Sequence, residues 1–298
     1  LCKVNFFIII IYYIIISLIL YKIKNKKYNY ILILIILLLV HSNINKLNNN
    51  LFVGFIDVGQ GDSILIKTPY DNTNILIDTG GNYKYNISDN TISYLKSLGI
   101  QRLDYLILTH GDYDHMGEAI NLVNNFKVEN VIFNCGEYND LEQELIKVLD
   151  KKKIKYYSCI KELNIDKYKL QFLNTKEYDD ENDNSNVIYF NYMDYKFLFM
   201  GDAGIEKEKD ILEKYNLKNI DFIKIGHHGS NTSSSEYFID KINPKYSMIS
   251  VGKNNRYGHP KDEVLDTLKN SKIYRTDLDG SIEIKLNKNG YKIRTCPP

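Results

Sequence analysis

The chain has 298 residues, with 38 basic and 37 acidic side chains for a formal net charge of +1, and 44% of it is hydrophobic. That is ordinary for a globular protein with a full core, and it excludes the strongly basic footprint of a charge-driven nucleic-acid binder. The balance is uneven: the first fifty residues hold Lys3, Lys22, Lys24, Lys26, Lys27 and Lys46 and no acid, which leaves 32 basic against 37 acidic residues, a net of −5, for the rest.

Residues 4 to 21 are almost wholly apolar and about as long as a membrane-spanning helix requires. A second apolar run extends from Tyr28 to Val40, short for a span unless tilted, and open to two other readings, a signal-peptide core or a buried strand. The lysine-rich turn Lys22 to Lys27 between them matches the cytoplasmic side of a membrane protein. Residues 1–45 are therefore expected to form a membrane-spanning hairpin or anchor, and residues 46–298 an extracytoplasmic domain at the cell membrane. A cleaved secretory peptide would export the domain as well. Leu1 in place of methionine suggests a fragment or an alternative start, and Ser42 to Asn50 has the composition of a linker.

From Leu51 the pattern changes to short β-like runs: Leu51 to Val58, Ser63 to Lys67 and Asn74 to Ile77. A helix is expected over Ser88 to Leu98, with Ser88 able to cap it and Gly99 to end it. Then come a strand at Leu103 to Leu108, a polar loop, a helix from about Met116 to Asn125, a strand at Val131 to Phe133 and a helix at Leu141 to Lys152. Val187 to Tyr192 and Tyr195 to Met200 form an expected hairpin about Met193 and Asp194. Strands at Phe222 to Ile225, Tyr246 to Val251 and Lys272 to Tyr274 precede closing strands near Ile282 to Leu286 and Tyr291 to Arg294. This order predicts an α/β fold with two sheets sandwiched between helices. Cys2, Cys135, Cys159 and Cys296 are far apart, so a Cys135 to Cys159 disulfide and free buried thiols both remain open.

The chemistry concentrates in Thr109 to His115, where His110, Asp112, Asp114 and His115 follow an apolar strand and offer imidazole and carboxylate ligands for a divalent metal. Asp202 and His227 also follow apolar strands directly. Three such strand-end loops meet at one sheet edge in layered α/β folds and together supply six ligands, enough for two ions. Asp112 and Asp114 could orient or deprotonate a bound water. Asn231, Lys253, Arg256 and His259 are candidate phosphate contacts, or else surface residues and helix caps. Asp57 and Asp62 could orient the ligands, or Asp57 to Ser63 could be a turn.

His-x-Asp-x-Asp-His followed by strand-end Gly-Asp and Gly-His resembles the metallo-β-lactamase superfamily. Asp57 to Ser63, Ile77 to Gly81, Glu181 to Ser185, His227 to Ser230 and Asn255 to Pro260 are similar to the hydrolase domain of ComEC-type DNA-uptake proteins, over about residues 51 to 285. The resemblance implies a four-layer αββα sandwich. It also implies His110 and Asp112 on one metal, Asp114 and His115 on the other, a bridging catalytic Asp202, His227 completing the second site, and His228 as a further ligand or a substrate contact. Two departures stand out: Asp112 replaces the second histidine of the usual loop, and no histidine occurs between His115 and Asp202, where Asn182 or Ser185 stands instead. An oxygen-rich first site favours two Mn²⁺ or Mg²⁺ ions over Zn²⁺. The implied function is a membrane-anchored phosphodiesterase or nuclease on extracellular DNA, working with a separate DNA-transport channel protein because the family's multi-span channel has no counterpart in these residues. A cell-surface phosphoesterase acting on envelope polymers or choline phosphates, or a non-catalytic module of an uptake complex, are the alternatives.

Overall fold

The computed structural model describes residues 6–25, 29–43, 48–81 and 87–297. Helices α1 (Phe6–Lys24) and α2 (Asn29–Asn43) come first and lie against each other. Here the expected membrane hairpin is corrected, since among the described residues no helix is long and apolar enough to cross a membrane. The reason is reach. The 15 residues of α2 rise about 22 Å and α1 rises about 24 Å between Phe6 and Lys22, against a hydrocarbon core of about 30 Å. Val4, Asn5, Lys26, Lys27, Tyr28 and residues 44–47 of the expected linker lie outside the described residues.

The next part of the chain builds a first sheet and its helices: β1 (Leu51–Phe55), β2 (Ile64–Lys67), β3 (Asn74–Ile77), α3 (Ser88–Ser97), β4 (Arg102–Leu103), β5 (Tyr105–Ile107), α4 (Tyr113–Met116), α5 (Ala119–Asn125), β6 (Lys127–Val128), β7 (Asn130–Phe133), α6 (Asp140–Lys152) and β8 (Lys155–Ser158). A second set follows with β9 (Glu162–Ile165), β10 (Tyr168–Phe172), β11 (Ile188–Tyr192), β12 (Tyr195–Phe199), α7 (Ile205–Lys214), β13 (Phe222–Lys224), α8 (Glu236–Ile242), β14 (Tyr246–Ile249), α9 (Asp262–Thr267), β15 (Lys272–Arg275) and α10 (Thr276–Asp279). The last two strands, β16 (Ser281–Asn287) and β17 (Gly290–Cys296), return to the first sheet. Strand order is β17-β16-β1-β2-β3-β5-β7-β8 in that sheet and β15-β14-β13-β12-β11-β10-β9 in the second.

Because both faces of each sheet are covered, the strands read as unbroken apolar runs. Ile64 and Ile66 point towards the opposing sheet, where they join Phe55, Ile75, Phe190, Phe197 and Phe222. Leu65, one residue out of phase, turns the other way with Leu76, Leu106 and Val131, onto Leu95, Leu122 and Leu145 of the helices. On the second sheet Leu198 and Ile223 likewise pack outward with Ile211, Phe238 and Val264. The result is the expected αββα sandwich.

Several boundaries differ for local reasons. The strand expected at Leu103 to Leu108 is interrupted at Asp104, whose carboxylate accepts the Asn74 amide at 2.8 Å. Ser88 does not cap α3; the cap position is Ile87, and the Glu118 carboxylate takes the amides of Ile87 and Ser88. Gly99 ends that helix at φ +76°, as expected. The helix expected from Met116 starts at Ala119 instead, and a separate turn of helix, Tyr113–Met116, precedes it and carries Asp114 and His115. Cys135 and Cys159 form a disulfide.

Within each sheet one half is parallel, β3-β5-β7-β8 and β12-β13-β14-β15. The loops leaving the ends of β3, β5, β12, β13 and β14 carry Asp78, the His110 loop, Asp202, the His227 turn and Ser250 respectively. Phe197 packs on Phe190, Phe199 and Phe222 at ring separations of 6.0, 6.1 and 4.8 Å between the two sheets. Phe197→Ala is therefore expected to cost about 3–5 kcal/mol, read as an earlier midpoint in chemical denaturation.

Candidate metal centre

The loop after β5 is held by a buried carboxylate. Asp78, at the end of β3 with φ +58°, accepts the Thr109 amide at 2.7 Å and the Thr109 hydroxyl at 2.6 Å, and its Oδ2 takes His115 Nδ1 at 2.8 Å. Space beside this loop is tight. A Cβ on Gly81 would sit 1.9 Å from the Tyr113 carbonyl oxygen, and one on Gly61 would sit 2.1 Å from that of Asp114.

The other imidazoles are tied in the same way, by Nδ1. That of His110 lies 3.1 Å from Thr109 Oγ1 and 3.3 Å from Ser185 Oγ, that of His228 donates to the Ser250 carbonyl at 2.8 Å, and that of His227 lies 3.0 Å from Thr232 Oγ1. Anchoring Nδ1 orients the ring and leaves Nε2 to face the centre, as in metal-ligating histidines. Nε2 of His110, His115 and His228 and Oδ1 of Asp202 are all buried without a hydrogen-bond partner among the described residues. A buried polar atom left unpaired is costly, and four around one space fit a divalent cation.

Asp202 is central. Its Oδ1 is 3.2 Å from His115 Nε2, and its Oδ2 is 3.4 Å from His228 Nε2 and 3.8 Å from His227 Nε2. Asp114 Oδ2 is 3.2 Å from His228 Nε2. Two donor groups result, His110 with His115 and Asp202, and Asp114 with His115 and His228, beside a third, Asp62 with Asp78 and His115, on the Nδ1 side of that ring.

Several expected assignments change. His228, buried on its Ser250 anchor, faces Asp114 where His227 was expected to complete the second site. His227 is part-exposed at the mouth. Both adopt positive φ, 46° and 54°, a conformation rare outside glycine that splays adjacent rings in different directions. Asp112 is half exposed, with Oδ2 3.5 Å from His110 Nε2, and belongs to neither donor group. It occupies the N-cap position of α4 without capping it, so its carboxylate stays available at the entrance. Ser185 Oγ accepts the Asp202 amide at 3.0 Å and touches His110 Nδ1, so it orients ligands and does not stand in for the missing histidine. Asn182 makes no described contact with the centre. Asp57 accepts its own turn's Gly59 amide, whereas Asp62 lies inside, 3.6 Å from His228 Nδ1 and 3.8 Å from His115 Nδ1. Asn231, Lys253 and Arg256 are exposed at the rim, and the His259 ring stands 5.9 Å from that of His227.

Lys224 was not anticipated. It is fully buried at the end of β13, forms an ion pair with Asp62, donates to the Gly201 carbonyl at 2.9 Å and lies 3.5 Å from Asp202 Oδ1. The only sequence signal is a lone cation inside the apolar run Phe222 to Ile225.

Charge follows geometry. Burial works against an ionised Asp202, yet the His115, His228 and Lys224 charges hold it well below the usual carboxylate range. Burial also works against Asp114, which the adjoining His228 ring and the His115 charge keep low. The reverse holds for His115 and His228. Burial opposes their protonation, but Asp202, with Asp78 at His115 and Asp114 at His228, raises both pKa values. His259 is pushed down to about 4 by burial and by His227 and His228. Without another cation, then, the two inner imidazoles take protons to offset the carboxylates.

A sequence model of the metallo-β-lactamase superfamily matches residues 56–253. ComE operon protein 3 of Bacillus subtilis (strain 168) is 32% identical over 83% of this chain and 34% of its own length. Competence protein ComA of Neisseria gonorrhoeae is 31% identical over 79% of this chain and 32% of its own. The chain thus spans about a third of these relatives. Among solved structures, the metallo-β-lactamase fold protein YhfI from Bacillus subtilis matches with TM-score 0.52 over 76% of this chain and 96% of that one, at 11% identity. CmlA, a diiron β-hydroxylase from Streptomyces venezuelae, matches with TM-score 0.52 over 80% and 54%, at 12% identity. Such identities bear on the fold alone.

Metal competes with protons for His115 and His228. Since both pKa values are raised, the protonated forms stabilise the metal-free protein at low pH, and that contribution is lost as pH climbs through the raised values. Metal affinity is accordingly expected to rise over the same interval, with proton release visible as buffer-dependent heats in calorimetry. Asp78→Asn is expected to weaken metal binding about 10–100-fold in the same titration.

Proposed function

The chain belongs to the metallo-β-lactamase superfamily of metal-dependent hydrolases, in its ComEC-type competence branch, and from that premise we propose a metal-dependent phosphodiesterase that cuts DNA outside the cytoplasm during DNA uptake. One observation carries this reading: three unpaired Nε2 atoms and the carboxylates of Asp202 and Asp114 converge beneath an entrance that bears Asp112 and no third histidine of the usual loop. His110, His115 and Asp202 would hold one ion, and Asp114 and His228 would supply donors for a second, since the one free Nε2 of His115 serves a single ion. An ion bound there lowers the pKa of a coordinated water and offsets the charge of a phosphodiester. With one imidazole replaced by Asp112, oxygen-preferring Mn²⁺ or Mg²⁺ suits the entrance better than Zn²⁺.

The chain's own residues do the rest. Asp112 is half exposed, and the His110 hydrogen bond holds its pKa low, so it is ionised and able to orient a water or accept its proton. Lys224 balances Asp62 and draws on Asp202 from behind, keeping that carboxylate in one orientation. Lys253, Arg256 and His259 at the rim provide cations and a hydrogen-bonding ring for the flanking phosphates. Location outside the cytoplasm is supported by the Cys135 to Cys159 disulfide, which suits an oxidising compartment. Membrane association is supported by the exposed Ile11, Tyr13 and Leu18 of α1 and Leu32 and Leu39 of α2. A separate channel protein would carry the DNA strand inward.

The full chain loaded with Mn²⁺ is expected to degrade DNA. Asp202→Ala is expected to slow this by more than ~100-fold, the scale lost when a residue that merely orients a ligand is changed. Intact DNA beside cleavage of a small phosphodiester would move the substrate to cell-surface phosphoesters. Failure to cut either with two ions bound would remove the hydrolase reading.

A further inference from the structure

The loop from Gly252 to Lys261 contains Lys253, Arg256 and Lys261 and no acidic residue, although residues 51–298 as a whole carry more acid than base. It sits at the entrance of the centre. At its tip, Tyr257 is 47% exposed and belongs to none of the three apolar cores. The Tyr257 ring is nearly parallel to that of His259, 12° apart with centroids 5.7 Å apart. His259 is in turn 5.9 Å from His227, whose Nε2 lies 3.8 Å from Asp202. Rings therefore step from solvent down to the carboxylate at the heart of the centre.

The backbone around the exposed ring is held in place, and Arg256 donates to the Tyr257 hydroxyl at 2.7 Å. Asn255 donates from Nδ2 to the His259 carbonyl at 2.7 Å and accepts the His259 amide at 2.9 Å, and Lys261 Nζ donates to the Tyr257 carbonyl at 2.8 Å. The loop's two ends are pinned as well, Gly252 N to Gln60 Oε1 and Lys261 N to the Gly229 carbonyl. Two polar features mark the ring's surroundings: the Arg256 guanidinium lies 4.8 Å from the Tyr257 centroid, and His259 Nδ1 is buried with no hydrogen-bond partner among the described residues.

We propose that Tyr257 is a stacking platform for an unpaired nucleobase, which sets the adjoining phosphodiester over the metal centre and makes the protein select single strands. The proposal rests on the phosphodiesterase reading and adds the recognised group. A flat, pinned aromatic ring beside cations is the arrangement that binds single strands without regard to sequence, because every base has a π face. Arg256 leaves the ring for a phosphate as the base arrives. A base inside a duplex is already stacked on both faces and cannot reach Tyr257 without being flipped out, which costs energy.

Binding separates this proposal from hydrolysis. Phosphorothioate-linked strands, which resist cleavage, are titrated by fluorescence anisotropy into the metal-loaded full chain, one strand oligothymidylate and the other an abasic strand of equal length. The wild type is expected to prefer the base-bearing strand by at least about fivefold, Tyr257→Phe to keep that ratio, and Tyr257→Ala to bring it close to one. A ratio near one in the wild type, or a ratio unchanged in a folded Tyr257→Ala, overturns the platform even if DNA is hydrolysed. A Tyr257-dependent ratio in a protein that cuts no DNA keeps the platform and removes the nuclease reading. Oligouridylate titrated alongside shows whether ribose or deoxyribose strands are taken, and either supports the platform.

Discussion

Asp78 occupies the point on which the centre turns. It is fully buried and accepts three hydrogen bonds, two from Thr109 and one from His115. A buried carboxylate is tolerable only when paired, and pairing here fixes the backbone before the loop, the hydroxyl beside His110 and the ring of His115 together. The same logic extends outward through Lys224, which answers Asp62 and reaches Asp202. Burial raises the stakes of each contact, so a change in one acid moves several donors.

The fold was largely legible from periodicity. Strands covered on both faces show up as short apolar runs, and the loops that follow them stood out because polar residues such as Thr109 to His115 break the run abruptly. What escaped were features set by partners distant in sequence. Lys224 looks like an ordinary residue until the other sheet brings Asp62 to it and the neighbouring strand β12 brings Asp202. The roles of His227 and His228 depend on two positive φ values and on Ser250 in the following loop, none of which their spacing reveals. Asp112 has the right type for a ligand but stands at the entrance because the chain starts a helix at Tyr113. The amphipathic run expected to begin at Met116 hid that start, since one helical turn carries too little pattern to register. The apolar first segment shows the opposite error: hydrophobicity is read easily, but length decides what it can span.

The arrangement explains how a domain with more acid than base could accept a polyanion. Acidic side chains lie inside, around the space where cations fit, whereas the acid-free ribbon of Lys253, Arg256 and Lys261 lies at the rim. Net charge describes neither place. It averages an interior that attracts metal with a surface that can attract phosphate.

Donors for the centre come from both sheets: His110, Asp114 and His115 follow β5, while Asp202 and His228 follow β12 and β13. Each sheet has its own helical cover, and the centre lies across the seam between them. An ion held there is thus a rivet between two halves of one molecule. Its departure would leave the carboxylates on both sides of that seam to Lys224 and the inner imidazoles alone, so metal supply and mechanical cohesion are governed by a single equilibrium.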